Sequence, residues 1–138
     1  MKLIWIFLMA LGSFLLSSCG GGESQVEALK REVIGVHDEV MPLMGELKSY
    51  QRMLTEKAAE LVELGTDAAE VATYEEASEA CAEAYDGMFV WMRQFDPKVE
   101  EMDEEKALQY LKEQEEKVAL VNSNIKKALE QAESLLKK

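Results

Sequence analysis

The chain has 138 residues, with 27 Asp and Glu against 15 Lys and Arg, a formal net charge of −12, and 48% hydrophobic residues. That length suits one domain with one core. An acidic surface of this strength is repelled by phosphate backbones and anionic headgroups, which argues against nucleic acid and direct headgroup binding.

The first element in chain order is an apolar stretch from Leu3 to Leu16 behind a single positive charge at Lys2. It is shorter than the roughly 20 residues a bilayer core demands, and Gly12 and Ser13 interrupt it, so it reads as a secretory signal and not as a spanning helix. Leu16-Ser17-Ser18-Cys19 follows, with small residues immediately before the cysteine. This segment resembles the lipobox of bacterial lipoproteins. The resemblance implies that Cys19 receives a diacylglyceryl group, that the signal is cut before it, and that the new amine is acylated, as with palmitate. Two or more chains, at about 0.8 kcal/mol per buried CH₂, hold a protein on a membrane where one barely does.

Three segments are therefore expected: residues 1–18 as a removed signal peptide, 19–23 as lipidated cysteine and flexible tether, and 24–138 as the folded domain. Removal of the first 18 residues leaves 120, and loss of Lys2 takes the charge to −13. Gly20 stands where an inner-membrane retention signal would place aspartate, which points to the outer membrane. With Cys19 lipidated, Cys81 is the one thiol left, so an intramolecular disulfide is excluded and a buried apolar role is expected for it.

Gly20-Gly21-Gly22 is coil-forming, and Ser24 with Glu27 has the spacing of a capping box, so a helix begins at about Ser24. A seven-residue repeat then runs through Val26, Val33, Val40, Leu47, Leu54 and Leu61, and a second through Leu29, Val36, Leu43, Tyr50 and Leu64, broken by Lys57. Such a seam packs on other helices in coiled-coil fashion. Gly65, Thr66 and Asp67 read as a C-terminal glycine and a new N-cap. A second helix over about 67–94 carries a stripe through Val71, Tyr74, Ser78, Cys81, Tyr85, Met88, Met92 and Phe95, and Asp96-Pro97 ends it. A third, from about Asp103 to Leu136, repeats through Leu111, Val118, Ile125 and Ala132, and through Ala107, Val121, Ala128 and Leu135, with Gln114 as its polar seam position.

No run alternates with period two, so the fold class is all-α. Pro42 sits in the first helix, flanked by Gly35 and Gly45, but the heptad passes from Val40 through Leu43 to Leu47 without a slip. A kink near Pro42 therefore fits better than a turn. The expectation is a three-helix up-down-up bundle with its first helix kinked.

One constellation stands out. His37, Met41 and Met44 form a stripe at i, i+4 and i+7. In an antiparallel hairpin about Gly65, residues whose numbers add to about 131 stand level, which brings Met88 and Met92 to that stripe. One end of the bundle thus gathers the chain's single histidine, several thioethers and a cluster of aromatics. Two readings follow. Methionine fills irregular core gaps and gains from contact with aromatics. Alternatively, thioethers with imidazole suit Cu(I), and a His/Met pair between helices can ligate haem iron, so His37, Met41, Met44, Met88 and Met92 form a candidate soft-metal or haem site.

Enzymatic readings find little support. Cys81 lies about 10 Å along the helix from Met88 at ~1.5 Å per residue, out of reach of His37. The chain has neither a nucleophile-elbow motif, nor a Gly-rich loop after a strand, nor a second histidine for a catalytic zinc set. The acidic residues fall mostly at outward heptad positions among lysines, as Glu113 does near Lys117, where a solvated face accounts for them.

His37-Asp38-Glu39-Val40-Met41-Pro42, with Met44-Gly45 and Trp91-Met92-Arg93-Gln94-Phe95, resembles a group of small lipoproteins from Bacteroidota-type bacteria, often labelled viral A-type inclusion protein-like. The resemblance covers most of the chain after Cys19 and implies envelope localisation and helical architecture. The sequence thus points to a non-enzymatic envelope lipoprotein without a cofactor, with a protein partner or self-association. Copper or haem binding is the alternative.

Overall fold

A computed structural model describes residues 22–137; the expected signal peptide, residues 1–18, and Cys19 lie outside the described residues. Four helices follow one another: α1 (Gln25–Val40), α2 (Met44–Glu63), α3 (Ala68–Gln94) and α4 (Glu104–Leu136). Three-residue 3-10 turns lie at Met41–Leu43 and Val99–Glu101. Among the described residues there is no strand, and no helix is long and apolar enough to cross a membrane.

α1 and α2 are one arm broken at Pro42. Proline lacks the N–H that an α-helix needs at that position, and the chain tightens through Met41–Leu43, where Met44 N–H returns to Met41 C=O in 3-10 fashion. The arm keeps its direction, so the architecture is the expected all-α, three-helix up-down-up bundle with a kinked first helix. The break also divides the packing. α1 lies chiefly against α4, whereas α2 is covered by both α3 and α4. Accordingly Val26, Val33, Val40, Leu47, Leu54 and Leu61 are all buried, while in α2 Met44 and Ala58 join them. A helix facing two partners needs a wider apolar face than a two-helix seam. Leu64, read as a seam position, is 69% exposed, because the helix ends beside it.

The helix ends follow the sequence signals. Ser24 Oγ accepts from Glu27 N–H and Glu27 returns a carboxylate oxygen to Ser24 N–H, which completes the capping box. At the other end of the arm Thr66 N–H reaches Leu61 C=O and Gly65 N–H reaches Val62 C=O, a Schellman arrangement. It requires the left-handed backbone that Gly65 adopts at φ 69°. Asp67 then caps α3 through Ala69 N–H.

The α3–α4 connection closes the bundle beside the start of α1. Lys30 Nζ donates to Pro97 C=O and to Glu100 at 2.8 Å each, and Asp96 N–H donates to Tyr110 Oη at 2.7 Å. Val99, inside the short 3-10 turn, is fully buried and plugs this end of the core. Nothing periodic surrounds it, so the heptad reading passed over it.

Candidate functional site

The His37 end of the bundle takes shape from three elements. α1 carries His37, α3 brings Trp91 and, at its C-cap one turn later, Phe95, and α4 brings Tyr110. Their rings form a chain: His37 to Trp91 with centroids 5.6 Å apart, Trp91 to Phe95 at 5.1 Å, and Phe95 to Tyr110 at 6.1 Å, each pair tilted by 34–38°. Rings tilted to one another at such separations gain from aromatic contact as well as from burial. Trp91 is 5% exposed, and its Nε1 is buried without a partner.

His37 is half-buried, and its Nδ1 lies 2.8 Å from Asp38 Oδ1. An ionised carboxylate can only accept, so Nδ1 carries the proton and the lone pair of a neutral ring sits on Nε2. A carboxylate that orients imidazole in this way is the usual outer partner of a metal-binding histidine, and it is equally the ordinary hydrogen bond of a structural one.

The five candidate residues fall into two groups. Met88 is fully buried and Met44 nearly so, both inside the continuous core. Met41 is partly buried at the edge of that core, and Met92 is 39% exposed. The hairpin register explains the difference. Thr55 hydrogen-bonds Ser78 across α2 and α3, and Lys48 Nζ lies over the Tyr85 ring. Extended along the hairpin, that register sets Met92 level with Met41, while Met88 lies one helical turn further in. His37, Met41 and Met92 are thus the members that solvent reaches, and Met44 and Met88 serve the core. The stripe expected along α3 is correct through Cys81 and Met88 but not at its end, where Trp91 turns inward in place of Met92. Ala77 and Ala84 line the inner face with Trp91 at seven-residue spacing.

Among the described residues no three His, Cys, Asp or Glu side chains are grouped to hold a metal ion; the thioethers stand apart from that count. Cys81 is fully buried in the middle of the bundle, its Sγ against Ala128 C=O at 3.8 Å, and burial pushes its thiol pKa up. It is a protonated, apolar filler, as expected.

A polar network on the α1–α4 face escaped the sequence reading. Asn122, 6% exposed, donates from Nδ2 to Val36 C=O and to Glu39 Oε2, each at 2.9 Å, and Lys126 reaches the other oxygen of Glu39. Moving up α1 from Val36 to Glu39 matches moving up α4 from Asn122 to Lys126, so these contacts set the register of two parallel helices. Hydrogen bonds from Lys126 and then Asn122, with the Lys126 charge, hold the Glu39 carboxyl below its ordinary range. A depressed carboxyl pKa contributes stability that is fully present above the unfolded value and is lost as pH falls through the folded one. Acid titrations should therefore show a smaller low-pH loss of stability in Glu39→Gln than in the wild type, with the two curves separating as pH rises through the carboxylate range and keeping a constant offset above it. Parallel curves would remove Glu39 from the account of acid sensitivity.

Compared with models of protein families, with curated proteins and with solved structures, the chain matches none.

Proposed function

We propose that this chain is an envelope lipoprotein of the outer membrane, held by lipid on Cys19, whose acidic helical bundle acts as a non-enzymatic structural or protein-binding module. The observation that carries this reading is the junction between the two parts. The lipobox-like Leu16-Ser17-Ser18-Cys19 ends five residues before Ser24, and Ser24 is where the capping box starts the bundle. Five residues reach at most about 18 Å, so a bundle whose longest helix, at 33 residues, spans about 50 Å stands directly on its anchor. Its negative charge keeps the helices off anionic headgroups, which leaves anchoring to the lipid. The end beside Val99 and Pro97 then faces the membrane. The Gly65 turn and the end of α4 face away from it, with Val62 and Leu64 exposed at that tip.

The test is metabolic. Bacteria expressing the full chain are fed labelled palmitate and fractionated beside cells expressing Cys19→Ser. Label in the wild-type band and its absence from the variant, together with release of the variant from the membrane fraction, is the expected result. An unlabelled wild-type chain would overturn the reading.

A second reading rests on the Asp38–His37 bond. With Nε2 presented as a lone pair, His37 with Met41 and Met92 has the donor chemistry for Cu(I), and a His/Met pair could also take haem iron. Titration of residues 20–138 with Cu(I) against a chromogenic chelator, beside His37→Ala/Met92→Leu, decides it. One tight equivalent lost in the double variant supports a metal site, and equal weak binding by both leaves the cluster to packing.

A further inference from the structure

A groove of about 290 Å³ runs between α3 and α4 and is lined by those two helices alone. Ala84 and Ala128 are buried in its floor, and at Gly87 a Cβ would meet nothing within 4 Å. Glu83 stands on the α3 rim and Lys127 on the α4 rim. Each rim continues toward the His37 end with an exposed aliphatic side chain. Val90, seven residues after Glu83, is 40% exposed, and Leu120, seven residues before Lys127, is 63% exposed. Seven residues are about two turns, so each pair shares one stripe of its helix. α3 and α4 are antiparallel, so a step of seven up one matches a step of seven down the other. Glu83 and Lys127 face each other across the groove at one level, and Val90 and Leu120 do so at the next.

That pattern is self-complementary. We infer that the α3–α4 face is the contact surface for a second copy of this chain, related by a two-fold axis running along the groove. Rotation about such an axis lays α3 of one copy on α4 of the other at the same level. Glu83 then meets Lys127 of the second copy, and Val90 meets Leu120 of the second copy, with each pairing made twice, as an isologous interface requires. The acid lies on one rim and the base on the other, so the rotation opposes unlike charges. The small floor lets the helices approach closely. α3 is 27 residues, or about 40 Å, and two helices side by side present on the order of 700 Å² per copy, close to the ~800 Å² per partner of a standard interface. The axis runs along the bundle, so both Ser24 ends point the same way, as two copies tethered to one membrane need. The inference gives the protein-binding part of the proposed function its partner and rests on that part, but it does not require the lipid.

The core extends from Val26 to Ala132, so residues 20–138 retain all of it and serve for the test. Sedimentation equilibrium should show a monomer–dimer equilibrium. Lys127→Glu and Leu120→Ser should each raise the dissociation constant at least ~10-fold with unchanged helical circular dichroism. The double reversal Glu83→Lys/Lys127→Glu should bring the constant back to within ~3-fold of wild type. A wild-type chain that stays monomeric to millimolar concentration overturns the inference. So does a dimer indifferent to Lys127→Glu and Leu120→Ser, or a double reversal no better than the single one. The protein in this experiment carries no lipid, so failure here leaves Cys19 anchoring standing, and failure of palmitate labelling leaves the dimer standing.

Discussion

Trp91→Ala is expected to lower the free energy of unfolding by about 3–5 kcal/mol, as removal of a buried indole does where the surroundings collapse only in part. The ring is 5% exposed and lies between His37 of α1 and Phe95 at the end of α3, with Phe95 in turn against Tyr110 of α4. Its loss therefore opens the end of the core and breaks the chain of rings in the middle. Domains of this kind are held by only about 5–15 kcal/mol in total, so the variant should show a much lower urea midpoint by circular dichroism. Trp91→Phe is the informative companion. It keeps a ring in place and removes the buried Nε1 that has no partner, an N–H whose burial costs roughly 1–3 kcal/mol. Lost volume and relieved desolvation oppose each other, and a net change within about 1.5 kcal/mol is expected. A Trp91→Ala cost below about 1 kcal/mol would show that the ring is not the keystone of this end.

Met88→Ala and Met92→Ala should differ sharply although the two residues are one turn apart. Met88 is fully buried in the core and should lose about 2–5 kcal/mol on truncation. Met92 is 39% exposed and should change by no more than about 0.5 kcal/mol. Urea denaturation of the two variants checks this. Equal losses would mean that α3 presents a different face to the core than its burial indicates. The same pair separates packing from chemistry, because Met92→Ala should leave folding intact and is the cleaner variant in which to follow copper.

The outline of the fold was legible because its signals are local. Ser24 with Glu27, Gly65 with Asp67, and Asp96-Pro97 each act within one turn of chain, and the Val26-to-Leu61 repeat needs only helical periodicity. What escaped depends on distant partners. Asn122 is one polar residue among many in α4, and it becomes a core residue only because α1 delivers Val36 C=O and the Glu39 carboxylate to it. Val99 sits among charged residues in a three-residue turn, too short for any period to show. In α3, alanines occupy both candidate inner faces, so apolar spacing alone did not decide between Trp91 and Met92. The structure decides it by burial, with Trp91 5% exposed against His37 and Phe95 and Met92 39% exposed.

The candidate site shows the same division. Sequence spacing placed the histidine, the thioethers and the aromatics at one end of the bundle. It did not separate Met44 and Met88, which pack, from Met41 and Met92, which solvent reaches, because that depends on which faces of α2 and α3 their partner helices cover. Nor did it show that Asp38 settles which nitrogen of His37 holds the proton, since a neighbour in sequence on a helix is not generally a neighbour in space.

The most direct measurement is the intact mass and N-terminal peptide of the chain purified from bacterial membranes. A chain that begins at Cys19 and carries the added mass of a diacylglyceryl group and a further acyl chain is the expected result. A chain that begins elsewhere, or whose Cys19 is unmodified, would contradict lipid anchoring and with it the orientation of the bundle on a membrane.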